Sequence, residues 1–243
     1  MLAVSIAIPM RNASRPRLGS RLLRRWLAPH CVVCGLDRGD PLCNGCSVDF
    51  FALAPRCACC ALRLPAAAAE RCGRCLNAPP HFDATTVLAD YAPPLDRMIA
   101  ALKFGGQLPL AAAFGSLLAR AAADALAGAD LLAPVPLSFE RLSERGFNQA
   151  QEIARRIAAT SGVPLRGDIL LRTRHTAAQM NLALEERRRN VRGAFVARGE
   201  PAGKHIVVVD DVMTTGATLD EIAVVLKLAG AARVTNLVVA RTP

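Results

Sequence analysis

The run Val207-Val208-Val209-Asp210-Asp211-Val212-Met213-Thr214-Thr215-Gly216-Ala217-Thr218-Leu219 constrains this chain more than any other stretch, because it sets out in order a strand, a turn and a helix. Successive β-branched apolar residues mark a strand covered on both faces. Two carboxylates come where that strand is expected to end, after Val209. Small, hydroxylated and glycine-bearing residues follow, and apolar periodicity resumes from Leu219 to Leu228. This predicts a loop opening a helix. In open parallel sheets ligands settle in the crevice outside the carboxyl ends of the strands, so the acidic pair and the loop stand where chemistry is done.

Backbone N–H groups, the positive end of a helix dipole and the hydroxyls of Thr214, Thr215 and Thr218 together suit a phosphate monoester. Asp210 and Asp211 repel phosphate. They are placed to accept hydrogen bonds from a sugar diol and to help hold a divalent cation. Diol, phosphate and metal together describe a phosphorylated ribose. A nucleoside-triphosphate loop is disfavoured, because no GxxxxGK[ST] pattern occurs. The alternative is a buried strand leading into a capped helix, which packing alone reaches without needing Asp-Asp or Thr-Thr-Gly-x-Thr. The segment resembles the 5-phosphoribosyl 1-pyrophosphate (PRPP) signature of type I phosphoribosyltransferases. That resemblance implies that the acidic pair holds the ribose hydroxyls, and that Thr214, Thr215, Gly216, Ala217 and Thr218 hold the 5′-phosphate.

All nine cysteines fall within the first 75 residues, and eight of them form CxxC pairs at 31/34, 43/46, 57/60 and 72/75. Each CxxC points two thiolates at one cation, so the series predicts two tetrahedral four-cysteine zinc sites. Sequential pairing puts Cys31, Cys34, Cys43 and Cys46 on one ion and Cys57, Cys60, Cys72 and Cys75 on the other; a cross-braced arrangement is the alternative. Cys59 is the odd thiol. A disulfide framework needs an oxidising compartment, and the start of the chain lacks an export pattern: its basic residues follow the apolar run Met1 to Met10. Four thiolates leave no place for water, so such zinc is structural. A short segment buries little core, whereas zinc binding to a finger peptide supplies about 10–16 kcal/mol at neutral pH.

The expected organisation is a basic extension over 1–28, a double zinc ribbon over 29–80 and an α/β domain over 81–243, with Pro79-Pro80 as the boundary. Residues 1–80 hold 11 Arg against 4 acids and the rest 19 Lys plus Arg against 16 acids, so the net +10 divides as +7 and +3. Two Cys₄ zinc sites at −2 each would bring the first figure to +3. Arg17, Arg21, Arg24 and Arg25 share one helical face of residues 17–28, opposite Leu18, Leu22, Trp26 and Leu27. A helix of that kind touches nucleic acid or anionic lipid, or docks with its arginines solvated. The start is also Arg-rich and acid-free like an organellar transit peptide. The longest apolar stretch, Leu108 to Leu132, is interrupted by Arg120, Asp124 and Asp130 and reads as a soluble helix.

After the boundary, strands are expected at Thr85–Tyr91, Leu131–Val135, Ile169–Arg172, Ala194–Ala197, Ile206–Val209 and Val234–Ala240. Helices are expected at Leu95–Phe104, Leu110–Leu126 and Asn148–Ala159. Strands alternating with helices imply a parallel, doubly wound sheet with helices on both faces. The stretch from Pro134 through Arg141 and Arg145 to Gln149 lies after a strand, where arginines can clamp a pyrophosphate bidentately. The same residues fit a turn with Asn148 as a helix N-cap. Residues Arg172 to Phe195 include Gln179, Asn181, Arg187, Arg188, Arg189, Asn190 and Arg192, and read as a basic lid or as a solvated charge run.

From Cys31 to Arg241 the chain resembles the ComF proteins of bacterial natural transformation. The marks are the CxxC series, Lys103-Phe104-Gly105-Gly106, Pro134-Val135-Pro136-Leu137, Arg145-Gly146-Phe147-Asn148-Gln149, Gln179 with Arg187 to Asn190, and the run at 207–219. The resemblance implies a zinc ribbon fused to a type I phosphoribosyltransferase-like domain. It also implies PRPP with Mg²⁺ as ligand, a cytoplasmic place at the inner face of the membrane, single-stranded DNA as partner, and a helicase-like companion. An aromatic content of 4% favours phosphate over base contacts with DNA. A working phosphoribosyltransferase with an acceptor the residues do not announce, and a PRPP-sensing regulator, are the other functions these parts fit.

Overall fold

The computed structural model describes residues 30–36, 42–51, 54–65, 70–173 and 191–243. The basic extension and most of the segment expected as a lid, residues 174–190, lie outside the described residues.

Four parallel strands form the central sheet: β1 (Ala84–Asp90), β2 (Leu131–Pro134), β5 (His205–Met213) and β6 (Arg233–Arg241), in the order β1-β6-β5-β2. The valine-rich β5 and β6 take the middle because both of their faces are covered. Ile206 through Val209, Leu237, Val238 and Val239 are all fully buried. Alternation along the strands divides the core. Val207, Val209, Leu237 and Val239 pack on one face with helices α3 (Leu95–Gly105), α4 (Leu108–Ala121) and α7 (Gln149–Ser161). Ile206, Val208, Val234 and Val238 pack on the other with α8 (Ala217–Leu228). This is the doubly wound arrangement the alternation of elements predicts.

Two expected strands do not join it. β3 (Leu170–Arg172) and β4 (Phe195–Ala197) pair with each other, antiparallel, as a separate ribbon. Each is three residues long with one face covered, Leu170 and Phe195 buried and Val196 exposed, which suits a ribbon lying on a core rather than a strand inside a parallel sheet. The helix expected over Leu110–Leu126 breaks at Ala122 (φ −114°, ψ 24°) into α4 and α5 (Ala123–Ala127). Helices α4 and α7 cross closely at Gly115. A Cβ there would lie 2.7 Å from the Ile153 carbonyl oxygen.

The cysteine-rich segment contributes α1 (Asn44–Phe50) and α2 (Gly73–Asn77) and straddles the sheet. Cys31 and Cys46 pack with Leu95 and Met98 on one face, and Cys57, Cys60, Cys72 and Cys75 pack with Phe82, Val87 and Met213 on the other. The second half is tied to β1: Thr85 N–H donates to the Ala58 carbonyl (3.2 Å), and Arg56 and Arg63 meet Asp90 at 2.7 and 2.8 Å. No helix among the described residues is long and apolar enough to cross a membrane.

Candidate functional site

Strand β5 pairs with β6 as far as Met213↔Arg241, but with β2 only as far as Pro134↔Val209. Asp210 and Asp211 are therefore the first residues of β5 beyond β2, while the pairing with β6 continues past them. Asp211 is 4% exposed and Asp210 half-buried. The Asp211 N–H donates to Asp210 Oδ1 at 2.8 Å. Lys103, from the last turn of α3, puts Nζ 2.7 Å from Asp211 Oδ2. That contact is a charge pair outside hydrogen-bond angles. Burial and the adjacent Asp211 charge push the Asp210 carboxyl up to about 8.

The chain after Pro134 folds into a helix that the residue patterns did not announce, α6 (Phe139–Arg145). Ser138 caps it by accepting from the Arg141 N–H, and Gly146 at φ +77° ends it. Both signals stand in the sequence, in a segment short enough to pass for a loop. Asn148 is the N-cap of α7, accepting from the N–H of Ala150 (3.0 Å) and Gln151 (3.4 Å) while its amide donates to the Val135 carbonyl (3.0 Å). The turn-and-cap reading thus holds for Asn148, while Arg141 and Arg145 are half-buried and Arg145 is within reach of the Asp211 charge. Arg145 stacks on Phe104, 5.4 Å from the ring centroid, and donates to Gln149 Oε1. Burial pulls its guanidinium below the usual range, against the nearby Asp211 carboxylate. Arg172, at the end of β3, stands over Phe195 at 5.4 Å and feels the charges of Arg141 and Asp210. Lys103, Arg145 and Arg172 thus lie within reach of the two carboxylates, with Arg141 beside the two arginines.

Beyond Met213 the chain turns through Thr214, Thr215 and Gly216 into α8. Gly216 has φ +84°, and a Cβ on it would meet Met213 Cε at 2.6 Å, so only glycine fits without displacing that methionine. No side chain caps α8 at Gly216. Thr215 Oγ1 accepts from the Ala217 N–H at 3.2 Å, and Thr218 lies in the first turn. Acids, loop and helix start follow one another as the sequence implied, with the strand running four residues past Val209.

The eight CxxC cysteines gather into two groups, Cys31/Cys34/Cys43/Cys46 and Cys57/Cys60/Cys72/Cys75, with the ligand atoms of each within 4.8 Å of one another. None is in a disulfide. The Sγ atoms of Cys34 and Cys43 are 3.8 Å apart and those of Cys60 and Cys72 3.6 Å. A tetrahedron with metal–sulfur bonds of about 2.3 Å has an edge of about 3.8 Å, so both groups fit a thiophilic cation. The Cys46 and Cys72 N–H groups donate to Cys43 Sγ (3.4 Å) and Cys57 Sγ (3.3 Å). Burial raises the Cys57 thiol, but the backbone N–H groups of Cys60, Cys72 and Cys59 outweigh it and bring it to about 7. Burial and the neighbouring thiols push Cys75 the other way, as crowding does when one ionised thiol disfavours ionisation of the next. Cys59 is not part of either four-cysteine group but packs beside the second, its thiol donating to the Phe82 carbonyl at 3.8 Å.

Residues 112–243 match the phosphoribosyl transferase domain family. A DNA utilization protein, YhgH, from Escherichia coli O157:H7 is 39% identical over 176 residues, spanning 70% of this chain and 78% of that protein. Competence protein F from Haemophilus influenzae is 33% identical over 197 residues, spanning 78% and 85%. The chain belongs to the ComF family of phosphoribosyltransferase-fold proteins. Among solved structures, the glutamine PRPP amidotransferase from B. subtilis aligns with 53% of this chain and 25% of its own length at 26% identity, with a TM-score of 0.38. In this ComF chain the parts that pattern reading passed over are Lys103 and Arg172 as neighbours of the acids, and two arginines, Arg74 and Arg241, that reach the loop from behind. The lysine was visible as part of Lys103-Phe104-Gly105-Gly106; the others carry no local signal.

Proposed function

We propose that this protein binds PRPP with Mg²⁺ in the crevice beside Asp210 and Asp211 and uses it in handling single-stranded DNA during uptake. The supporting observation is the pair of adjacent carboxylates on β5 beyond the end of its pairing with β2, with Lys103, Arg145 and Arg172 within reach of their charge and Arg141 beside the two arginines. A ligand suited to it carries a diol and a cation for the acids and a polyanion for the arginines. Thr214, Thr215, Gly216, Ala217 and Thr218 take the 5′-phosphate through backbone N–H and hydroxyl groups, Asp210 and Asp211 take the ribose hydroxyls and the Mg²⁺ side, and Arg141 and Arg145 take the pyrophosphate. Mg²⁺ supplies charge neutralisation for the pyrophosphate.

The two four-cysteine groups hold structural Zn²⁺ and define a ribbon module over 29–80 ahead of the domain at 81–243. The names of the relatives, a DNA utilization protein and a competence protein, support DNA as the macromolecular partner. A single strand at the cytoplasmic side of the membrane, handed over by a helicase-like companion, with residues 1–28 touching the membrane surface, completes the reading. Calorimetric titration with Mg²⁺-PRPP, repeated with single-stranded DNA at low salt, tests it. Saturable binding of both supports it, and absence of PRPP binding ends it. DNA affinity that changes when PRPP is present makes the ligand a regulator of DNA binding.

One observation favours turnover as a second reading. Phe104 is 81% exposed and carries Arg145 over its ring, and an exposed apolar ring of that kind would suit the face of an acceptor base. Pyrophosphate release with a panel of nucleobase acceptors decides between binding and transfer.

A further inference from the structure

Strand β6 begins at the exposed Arg233 and ends on a second arginine that is buried. Arg241 is 4% exposed and pairs in register with Met213, the last residue of β5. Its Nη1 donates to the carbonyl oxygens of Met213 (3.4 Å), Thr214 and Thr242, and its Nε donates to the Cys60 carbonyl at 3.2 Å. A guanidinium has five donors in a rigid fork, and here the fork spans the loop on one side and a residue of the second four-cysteine group on the other. A second strut runs parallel to it. Arg74, between Cys72 and Cys75 in sequence, donates through Nη2 to the Thr215 carbonyl at 3.2 Å.

Two successive loop carbonyls are thus held by arginines tied to the Cys57/Cys60/Cys72/Cys75 group. In a trans peptide the N–H points opposite to the C=O. Holding the carbonyls of Thr214 and Thr215 toward the cysteine module therefore directs the N–H groups of Thr215 and Gly216 the other way, as an anion requires. The first four-cysteine group packs on the opposite face of the sheet. Among the described residues no hydrogen bond joins it to the loop.

We propose that Arg241 is a positioning residue for the 5′-phosphate loop, and that through it the metal in the second four-cysteine group and the sugar phosphate support each other. The proposal rests on reading the crevice as a PRPP site. Coupling between two sites is reciprocal: if zinc at the second group holds the loop in its binding form, PRPP must slow loss of that zinc, and only that zinc.

The test uses the full zinc-loaded protein, with Mg²⁺-PRPP binding followed by calorimetry and zinc release to 4-(2-pyridylazo)resorcinol followed by absorbance. Expected is release of two equivalents, one slowed about tenfold by saturating PRPP and the other unchanged. In Cys34→Ser, which weakens the first group, the PRPP-insensitive equivalent is the one affected. Arg241→Gln is expected to retain both zinc ions, to bind PRPP about tenfold more weakly, and to show no PRPP effect on zinc release. Binding of PRPP by the wild type with both equivalents released at unchanged rates overturns the coupling and leaves the PRPP reading standing. No PRPP binding overturns both. Should Arg241→Gln fail to fold, Arg74→Gln on the exposed strut is judged by the same readouts, and the wild-type comparison still decides.

Discussion

Lys103 Nζ lies 2.7 Å from Asp211 Oδ2, so the last turn of α3 supplies a counter-charge for one of two adjacent carboxylates more than a hundred residues away in sequence. Asp211 is buried, and removing its nearest partner leaves its charge under-compensated. Lys103→Met is expected to lower stability by about 1–3 kcal/mol, and in a double-mutant cycle with Asp211→Asn the two losses should be strongly non-additive. Denaturant unfolding of the four proteins measures this. Additive effects would mean the pair contributes nothing.

Asp210 gives a pH signature. Its carboxyl is pushed up to about 8 by burial and by Asp211, whereas an unfolded Asp titrates near 3.9. Between those values the folded protein holds a proton that the unfolded chain releases, so this group's contribution to stability falls as pH rises from about 4 to about 8. Mg²⁺-PRPP bound against the carboxylates favours the ionised form, so binding near neutral pH should expel a proton. Calorimetry in two buffers of different ionisation enthalpy reads the release, which should shrink in Asp210→Asn. Equal release by wild type and variant would contradict the assignment.

Arg145 separates the two ends of the ligand. As part of a pyrophosphate clamp it should matter for PRPP and not for ribose 5-phosphate. Arg145→Ala is expected to cost about 1.5–3 kcal/mol of PRPP binding, roughly a 10- to 150-fold loss, with ribose 5-phosphate affinity unchanged. Competition binding with the two sugars checks this, and a parallel loss for both would move Arg145 out of the clamp.

The α4/α7 crossing makes a prediction about the scaffold alone. A methyl group at Gly115 would sit 2.7 Å from the Ile153 carbonyl oxygen and from Arg156 Cβ, and backbone atoms do not yield cheaply. Gly115→Ala should destabilise by about 1–3 kcal/mol and lower the melting temperature by several degrees. Zinc content should stay the same. Thermal unfolding with an unchanged midpoint would show that the helices move apart freely.

What could be read from residues alone was what is local. Val207 to Leu219 announces strand, acids, glycine turn and helix because each signal is contiguous, and the CxxC spacing announces its own chemistry. What escaped was what depends on register and on neighbours distant in the chain. Lys103 meets Asp211 only because α3 packs against the sheet, and Arg241 reaches the loop only because β6 pairs with β5 at Met213. The short strands at 169–172 and 194–197 were found but misplaced, since three residues carry too little pattern to tell a ribbon from a sheet strand. Helix α6 was hidden by its length, although Ser138 and Gly146 marked both its ends.

The strand order β1-β6-β5-β2 bears on how the chain is made. Its third strand from one edge in space, β5, and its first strand in sequence, β1, have nothing between them until residues 233–241 have emerged from the ribosome. Until then the nascent chain carries a β2–β5 pair and a lone β1, and the loop after Met213 lacks the arginine behind it. Synthesis therefore joins the sheet and braces the loop after Met213 in the same few codons.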